Sequence, residues 1–409
     1  MKGDIKKMWF FFSPNIIHGP DAIDFFENIS GEKCFIITDK NLVDLGYVKI
    51  LTDKLDSFGK KYSIFDDVLP DPREEGVIKA REECLRFEPD IIIALGGGSV
   101  MDTAKTTWAL YEFPELTLDD IHAFRSDLYE MGKRAKLVAI PTTSGTGAET
   151  TYVTVISRYD QEIWKKYLYL HRGLIPTYAI VDPIFPQGMP PKLTADTGFD
   201  ALAHSIEGLG TLWRNEFSNA LALKAIELIF KYLPIAYKDG KNQEARDYMH
   251  QAATMAGLAF GNGNVHIGHT LGHSWGALYH TPHGRSVGIV MKYVTQFILN
   301  GPESGDVIKI YAKLAKQMGW VDWNEDDKTA ANIVIEKIEE LAKKVNFSLN
   351  LKDTLKGTSV TKEQFEKDLD ILLDLCYQDA SSVLTPRGPS PDEFKKIFLY
   401  AYEGKDIDF

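Results

Sequence analysis

The sequence predicts an α/β first half built on a mostly parallel sheet and an all-helical second half. Three observations carry this reading. Short β-branched apolar runs alternate with helical segments up to about residue 182; a triple glycine follows the most apolar of those runs; and beyond Pro190-Pro191 the apolar spacing turns helical. The expected domains are residues 1–190 and 191–409, because 409 residues exceed one ordinary core.

Taken in order, the aromatic run through Trp9, Phe10, Phe11 and Phe12 to Ser13 reads as an opening strand. Further strands are expected at Cys34 to Thr38, Lys61 to Phe65, Asp90 to Leu95, Lys136 to Ile140 and Tyr178 to Val181. Several end in turn-forming sequences typical of α/β crossovers: Thr38-Asp39, Pro70-Asp71-Pro72, Gly96-Gly97-Gly98 and Pro141-Thr142-Thr143. In open parallel sheets, ligands bind beyond these carboxyl ends. Helical periodicity then marks Ala220 to Tyr232, Ala245 to Leu258, Ile308 to Met318, Ala330 to Val345 and Lys362 to Cys376.

Composition removes several function classes. Forty-six basic against fifty-eight acidic residues give a net charge of −12, with no lysine–arginine block to release counterions, so neither nucleic acid nor an anionic membrane is an expected partner. The longest apolar runs, such as Ile91 to Leu95, are strand length, and the N-terminus lacks a signal-peptide pattern. Three scattered cysteines, Cys34, Cys84 and Cys376, suit a reducing cytoplasm.

Two segments carry the chemistry. Asp200 and His204 lie four residues apart, as do His269 and His273, so each pair shares a helix face. Five of the ten histidines (His266, His269, His273, His280 and His283) fall within eighteen positions. A carboxylate with several imidazoles and no thiolate suits a divalent iron, zinc, nickel or manganese ion that does chemistry rather than staples a fold. Spacing leaves open which of His266, His269 and His273 coordinate.

The other segment is Gly96-Gly97-Gly98-Ser99, between an apolar strand and a helix from Val100 to Leu110. Its backbone amides and helix start make a phosphate cradle, although it is not the usual G-x-G-x-x-G. The hydroxyl-rich loop Pro141 to Glu149 could add ribose or phosphate donors. Asp39 has two readings, a ribose acceptor that would repel a 2′-phosphate or the N-cap of a following helix.

Together, Gly96 to Lys105, Pro141 to Glu149, Gly198 to Glu207 and His269-x3-His273-x9-His283-Gly284 resemble the iron-containing (group III) alcohol dehydrogenases, from about Gly19 to about Tyr402. The resemblance implies a dehydroquinate-synthase-like fold: an N-terminal dinucleotide-binding domain and an all-α metal-binding domain. It implies metal ligands Asp200, His204, His269 and His283, with iron expected and zinc or another divalent metal as the alternative. His273 becomes the histidine beside the nicotinamide, a catalytic proton relay or a packing residue. Implied cofactor contacts are Asp39, Gly97, Gly98, Ser99, Thr142, Thr143, Thr146 and Lys166, and Asp39 favours NAD over NADP.

Val153 and Phe260 correspond to substrate-pocket positions, and Ser381, Trp164, Trp275 and Tyr279 are placed nearby, the last two weighted toward packing. Two departures stand out: Pro70-Asp71-Pro72 where the family has Pro-Asn-Pro, and Thr385-Pro386-Arg387 where it has Asn-Pro-Arg. A longer hairpin is expected around Tyr159 to Trp164. The expected reaction interconverts a primary alcohol and its aldehyde by hydride transfer with NAD(H), in a homodimer or larger homo-oligomer. A lyase or cyclase of dehydroquinate-synthase type, or another polyol dehydrogenase, is the alternative. The former would need several basic residues, and Asn262 to Arg285 offers only Arg285.

Overall fold

The computed structural model describes residues 10–160, 163–301 and 305–409. Its strands are β1 (Asn15–His18), β2 (Lys33–Ile37), β3 (Lys61–Phe65), β4 (Ile91–Gly96), β5 (Lys136–Pro141), β6 (Val153–Asp160), β7 (Ile163–Leu170) and β8 (Tyr178–Val181). Six form a sheet in the order β1-β8-β5-β4-β2-β3 with every pairing parallel, while β6 and β7 form a separate antiparallel hairpin. Helices α1 (Lys40–Asp44), α2 (Tyr47–Ser57), α3 (Glu74–Phe87) and α4 (Gly98–Glu112) connect the strands.

Strand β4 is buried along its whole length because both faces are covered. Ile91, Ile93 and Leu95 join one apolar cluster with Cys34 and Ile36; Ile92 and Ala94 join the other with Phe35 and Ile37. That alternation is the two-residue period of a pleated strand. From β2 the chain runs outward to β3, then crosses back to β4 and continues the other way, so the order reverses between β2 and β4. A crevice at that reversal, beyond the strand ends, is where this class of sheet binds ligands. Asp39 follows β2 and Gly97 follows β4, one on each side of it.

The rest is helical: α5 (Pro191–Gly210), α6 (Glu216–Lys238), α7 (Gln243–Gly263), α8 (Ile267–Tyr279), α9 (His283–Asn300), α10 (Gly305–Gln317), α11 (Asp327–Lys344), α12 (Lys362–Gln378) and α13 (Pro391–Glu403). One apolar cluster from Ala195 to Ile407 holds them together. Helix α5 is buried from Thr194 to Gly210, as a helix surrounded by others must be.

The two halves meet through close backbone contact. Gly147 has a φ of 58° and packs against Gly257 of α7, where a Cβ on either residue would overlap the other chain segment. Beside it, Thr254 Oγ1 donates to Glu149 at 2.8 Å, and Ser144 Oγ lies 3.1 Å from His250 Nδ1. The loop after β5 is thereby fixed against α7, which packs against α5.

The expected opening strand is corrected. Residues 10–14 form no strand, and Trp9 lies outside the described residues; the strand begins at Asn15 and pairs with Tyr178. At Phe12 the ladder partner is missing, and the side chain of Asn262 satisfies both its N–H (2.7 Å) and its C=O (2.9 Å). The hairpin is longer than the sequence suggested, pairing Val153 with Leu170 through to Asp160 with Ile163; residues 161 and 162 lie outside the described set.

Candidate metal centre and cofactor cleft

Three helices bring four ligand side chains together. Asp200 and His204 face the same way on α5, His269 lies in the first turn of α8, and His283 opens α9. One ligand atom from each lies within 4.8 Å of every other. His283 Nε2 is 3.3 Å from Asp200 Oδ1, and the His204 and His269 rings are 4.6 Å apart. Asp200 Oδ1, His204 Nδ1 and His269 Nε2 are buried without a hydrogen-bond partner. Such orphaned atoms are costly unless something binds them, and a divalent ion is the partner that one carboxylate and three imidazoles suit. The residues therefore fit the metal.

Electrostatics prepare the same set. Burial pushes the His204 imidazole down to about 3 and holds His269 far below the ordinary histidine range, so both rings keep free lone pairs at neutral pH. Burial would raise the Asp200 carboxyl, but the imidazoles packed around it oppose this, His283 with a hydrogen bond as well, and hold it at about 2, so that it is ionised at neutral pH. Phe260 stacks on His204 with centroids 4.2 Å apart, giving the centre an apolar wall. His283, with 41 % of its side chain exposed, marks the open side.

His273 follows His269 by one turn and stacks on His283 at 5.1 Å, beside the four-residue set rather than in it. His266 is the N-cap residue of α8 and is buried against Glu207, and His280 ends the helix at a φ of 52°. Sequence reading left two carboxylates unmentioned as partners: Glu207, 2.9 Å from His269 Nδ1, and Asp379, 2.6 Å from His273 Nδ1. Glu207 had a signal, lying seven residues after Asp200 on the same helix face. Asp379 had none.

The expected cofactor positions lie just after β2, β4 and β5, except Lys166, which lies on β7. Gly97 is the N-cap residue of α4, so the helix starts at the end of β4 with its first amides free for an anion. A Cβ on Gly98 would press on Thr146 at 3.2 Å and one on Gly97 would touch Thr143 at 3.4 Å, so the two loops lie against each other. Thr142 is joined to β4 through Gly96 C=O at 3.1 Å. Ser99 Oγ donates to Pro70 C=O at 2.6 Å. Asp39 does cap α1, accepting from Leu42 N at 3.2 Å, and uses only Oδ1 to do so. These residues fit a dinucleotide.

Both sequence departures acquire partners. Asp71 accepts from Ser157 Oγ at 2.9 Å and pairs with Lys166 at 3.5 Å, so the acidic substitution contacts an expected cofactor residue. Thr385 Oγ1 accepts from Ile267 N at 3.0 Å and helps cap α8, while Arg387 turns toward Glu393 and Phe297. Of the expected pocket residues, Phe260 touches the metal set and Ser381 bonds Asp379 through its amide. Val153 begins β6, its carbonyl accepting from buried Lys105 at 3.2 Å. Trp275 is buried and donates to Thr354, and Tyr279 is partly buried and donates to Asp368. The Trp164 side chain lies outside what is described.

Residues 13–183 match the family model for iron-containing alcohol dehydrogenase, and residues 194–402 match its C-terminal counterpart. The chain belongs to the iron-containing alcohol dehydrogenase family. It is 36% identical over 403 residues to an NADPH-dependent butanol dehydrogenase of Clostridium saccharobutylicum, covering 98% of this chain and 100% of that one. It is 33% identical to the bifunctional aldehyde-alcohol dehydrogenase of Escherichia coli, covering 95% of this chain but 45% of that longer protein. A solved 1,3-propanediol oxidoreductase superposes with a TM-score of 0.87 at 28% identity, covering 97% of this chain and 100% of that one. This iron-type dehydrogenase is thus an NAD(P)-dependent oxidoreductase acting on alcohols.

Proposed function

We propose that this dehydrogenase interconverts a primary alcohol and its aldehyde with NAD(H), using Asp200, His204, His269 and His283 as metal ligands and His273 as the proton relay. The observation that carries the ligand set is the group of buried, unpartnered atoms converging on one point. When bound, a divalent ion supplies a Lewis acid for the substrate oxygen and the nicotinamide supplies the hydride acceptor. The chain's own residues do the rest. Gly97, Gly98 and Ser99 offer the start of α4 to the pyrophosphate, with Thr142, Thr143, Thr146 and Lys166 around it. Phe260 keeps water from one face of the centre. His273, its Nδ1 held by Asp379, exchanges the hydroxyl proton at Nε2.

Asp39 supports NAD, because the carboxylate oxygen left over from capping would repel a 2′-phosphate. The Clostridium relative, named for NADPH, makes this a point to test. Val153, Phe260 and Ser381 are assigned to the substrate pocket. Arg285 already pairs with Asp196, which leaves the lyase reading without a free basic residue from Asn262 to Arg285.

We also propose domains at 1–190 and 191–409, supported by the separate apolar clusters. A cytoplasmic location is supported by three buried free cysteines, and among the described residues no helix is long and apolar enough to cross a membrane. A homodimer contact near the N-terminus is supported by the exposed neighbours Phe11 and Phe217.

The test uses protein reconstituted with ferrous iron or zinc, given NAD or NADP and primary alcohols of two to eight carbons. Reduced cofactor should accumulate, and aldehyde should consume it in reverse. Failure in both directions would overturn the reading.

A further inference from the structure

We propose that Glu207 is the positioning residue that sets how tightly the Asp200, His204, His269 and His283 cluster holds its ion. This rests on the metal reading above. Glu207 lies on α5 three residues after His204 and is 1 % exposed. Its carboxylate is approached by three N–H groups from the start of α8. Oε2 accepts from the amides of His266 (2.8 Å) and His269 (3.3 Å), and Oε1 accepts from His269 Nδ1 at 2.9 Å.

Two consequences follow from elementary chemistry. Backbone amides can only donate, so Oε2 accepts from two of them; with Glu207 held as a carboxylate in this way, Oε1 accepts from Nδ1 of His269 and the lone pair lies on Nε2, the buried atom that has no partner and belongs to the ligand group. In addition, Asp200 gives a divalent ion one negative charge, and Glu207 as a carboxylate beside His269 would add the second that balances it. Gly268 bears on the same carboxylate from the other side, since a Cβ there would overlap Oε1 of Glu207. The third free amide of the helix start, that of Ile267, goes to Thr385, so Glu207 is committed to the two histidines.

Zinc affinity measured by competition with a chelator, together with the melting temperature of each metal-free protein, tests this. Glu207→Gln removes the charge in nearly the same volume and should weaken zinc binding by roughly ten- to hundredfold. Gly268→Ala keeps every ligand and charge but displaces the carboxylate, and should weaken binding in the same direction. Wild-type zinc affinity in folded Glu207→Gln, with only its metal-free melting temperature lowered, would reduce Glu207 to a helix cap and overturn the proposal. If Glu207→Gln does not fold, unchanged affinity in Gly268→Ala overturns it instead. His269→Ala separates the two readings: zinc binding as tight as wild type there contradicts the ligand set itself.

Discussion

His273 Nδ1 lies 2.6 Å from Oδ2 of Asp379, a residue 106 positions further along the chain. Burial alone would raise the Asp379 carboxyl, but the His273 ring against it, the hydrogen bond from that ring and the bond from Ser381 N hold it well below the usual carboxylate range. It therefore stays ionised and fixes the proton of His273 on Nδ1, with Nε2 free for exchange. Asp379→Asn offers the ring an N–H as readily as a C=O and loosens that choice. Turnover should fall by about a hundredfold with metal content intact, and the pH profile of kcat/KM should change. Undiminished turnover would make His273 a packing residue.

Asp39→Asn separates capping from cofactor choice. The amide oxygen still accepts from Leu42 N, so thermal stability should hold, whereas Asp39→Ala should lose about 1 kcal/mol. The kcat/KM ratio for NAD over NADP should fall in both variants. A ratio that stays put would leave Asp39 as a cap alone.

Asp71→Asn restores the pattern seen in the family. The Asp71–Lys166 pair is half exposed on both sides and contributes at most about 1 kcal/mol, so the melting temperature should move by less than about 4 °C. Freed from that pairing, Lys166 should bind cofactor better and lower the KM for NAD. An increased KM would show that the pair itself positions the lysine.

The fold also predicts a direction of acid sensitivity. Burial pushes His250 from 6.5 down to about 3, so the unfolded chain takes up a proton there before the folded one does. Stability from this group is complete above about 6.5 and is lost as pH falls from there toward 3, at up to about 1.4 kcal/mol per pH unit. His250→Asn cannot titrate, so its melting temperature should fall less steeply between pH 7 and pH 4. Parallel curves for the two proteins would contradict the assignment.

Much of this was legible in the residues. Apolar runs located β2, β4, β5 and β8 to within a residue, because a strand buried on both faces has little choice of composition, and the edge strand β3 was located as well although most of it is not buried. The opening strand was displaced to Asn15 because pairing with Tyr178, not the aromatic run before it, decides where the ladder forms. The hairpin of β6 and β7 was seen only at its turn, since Arg158, Lys165 and Lys166 interrupt the apolar pattern. Helical spacing grouped Asp200 with His204 and His269 with His273. It could not choose among three histidines, and Asp379 was invisible because only the folded chain brings it to His273.

The central claim is that one buried ion sits on Asp200, His204, His269 and His283 and that alcohol oxidation depends on it. Elemental analysis of anaerobically purified protein, wild type beside Asp200→Asn and His269→Ala, tests it most directly. The account predicts about one divalent ion per chain in the wild type, a severalfold loss in both variants, and turnover that falls in step with metal content. Full metal content and turnover in either variant would contradict it.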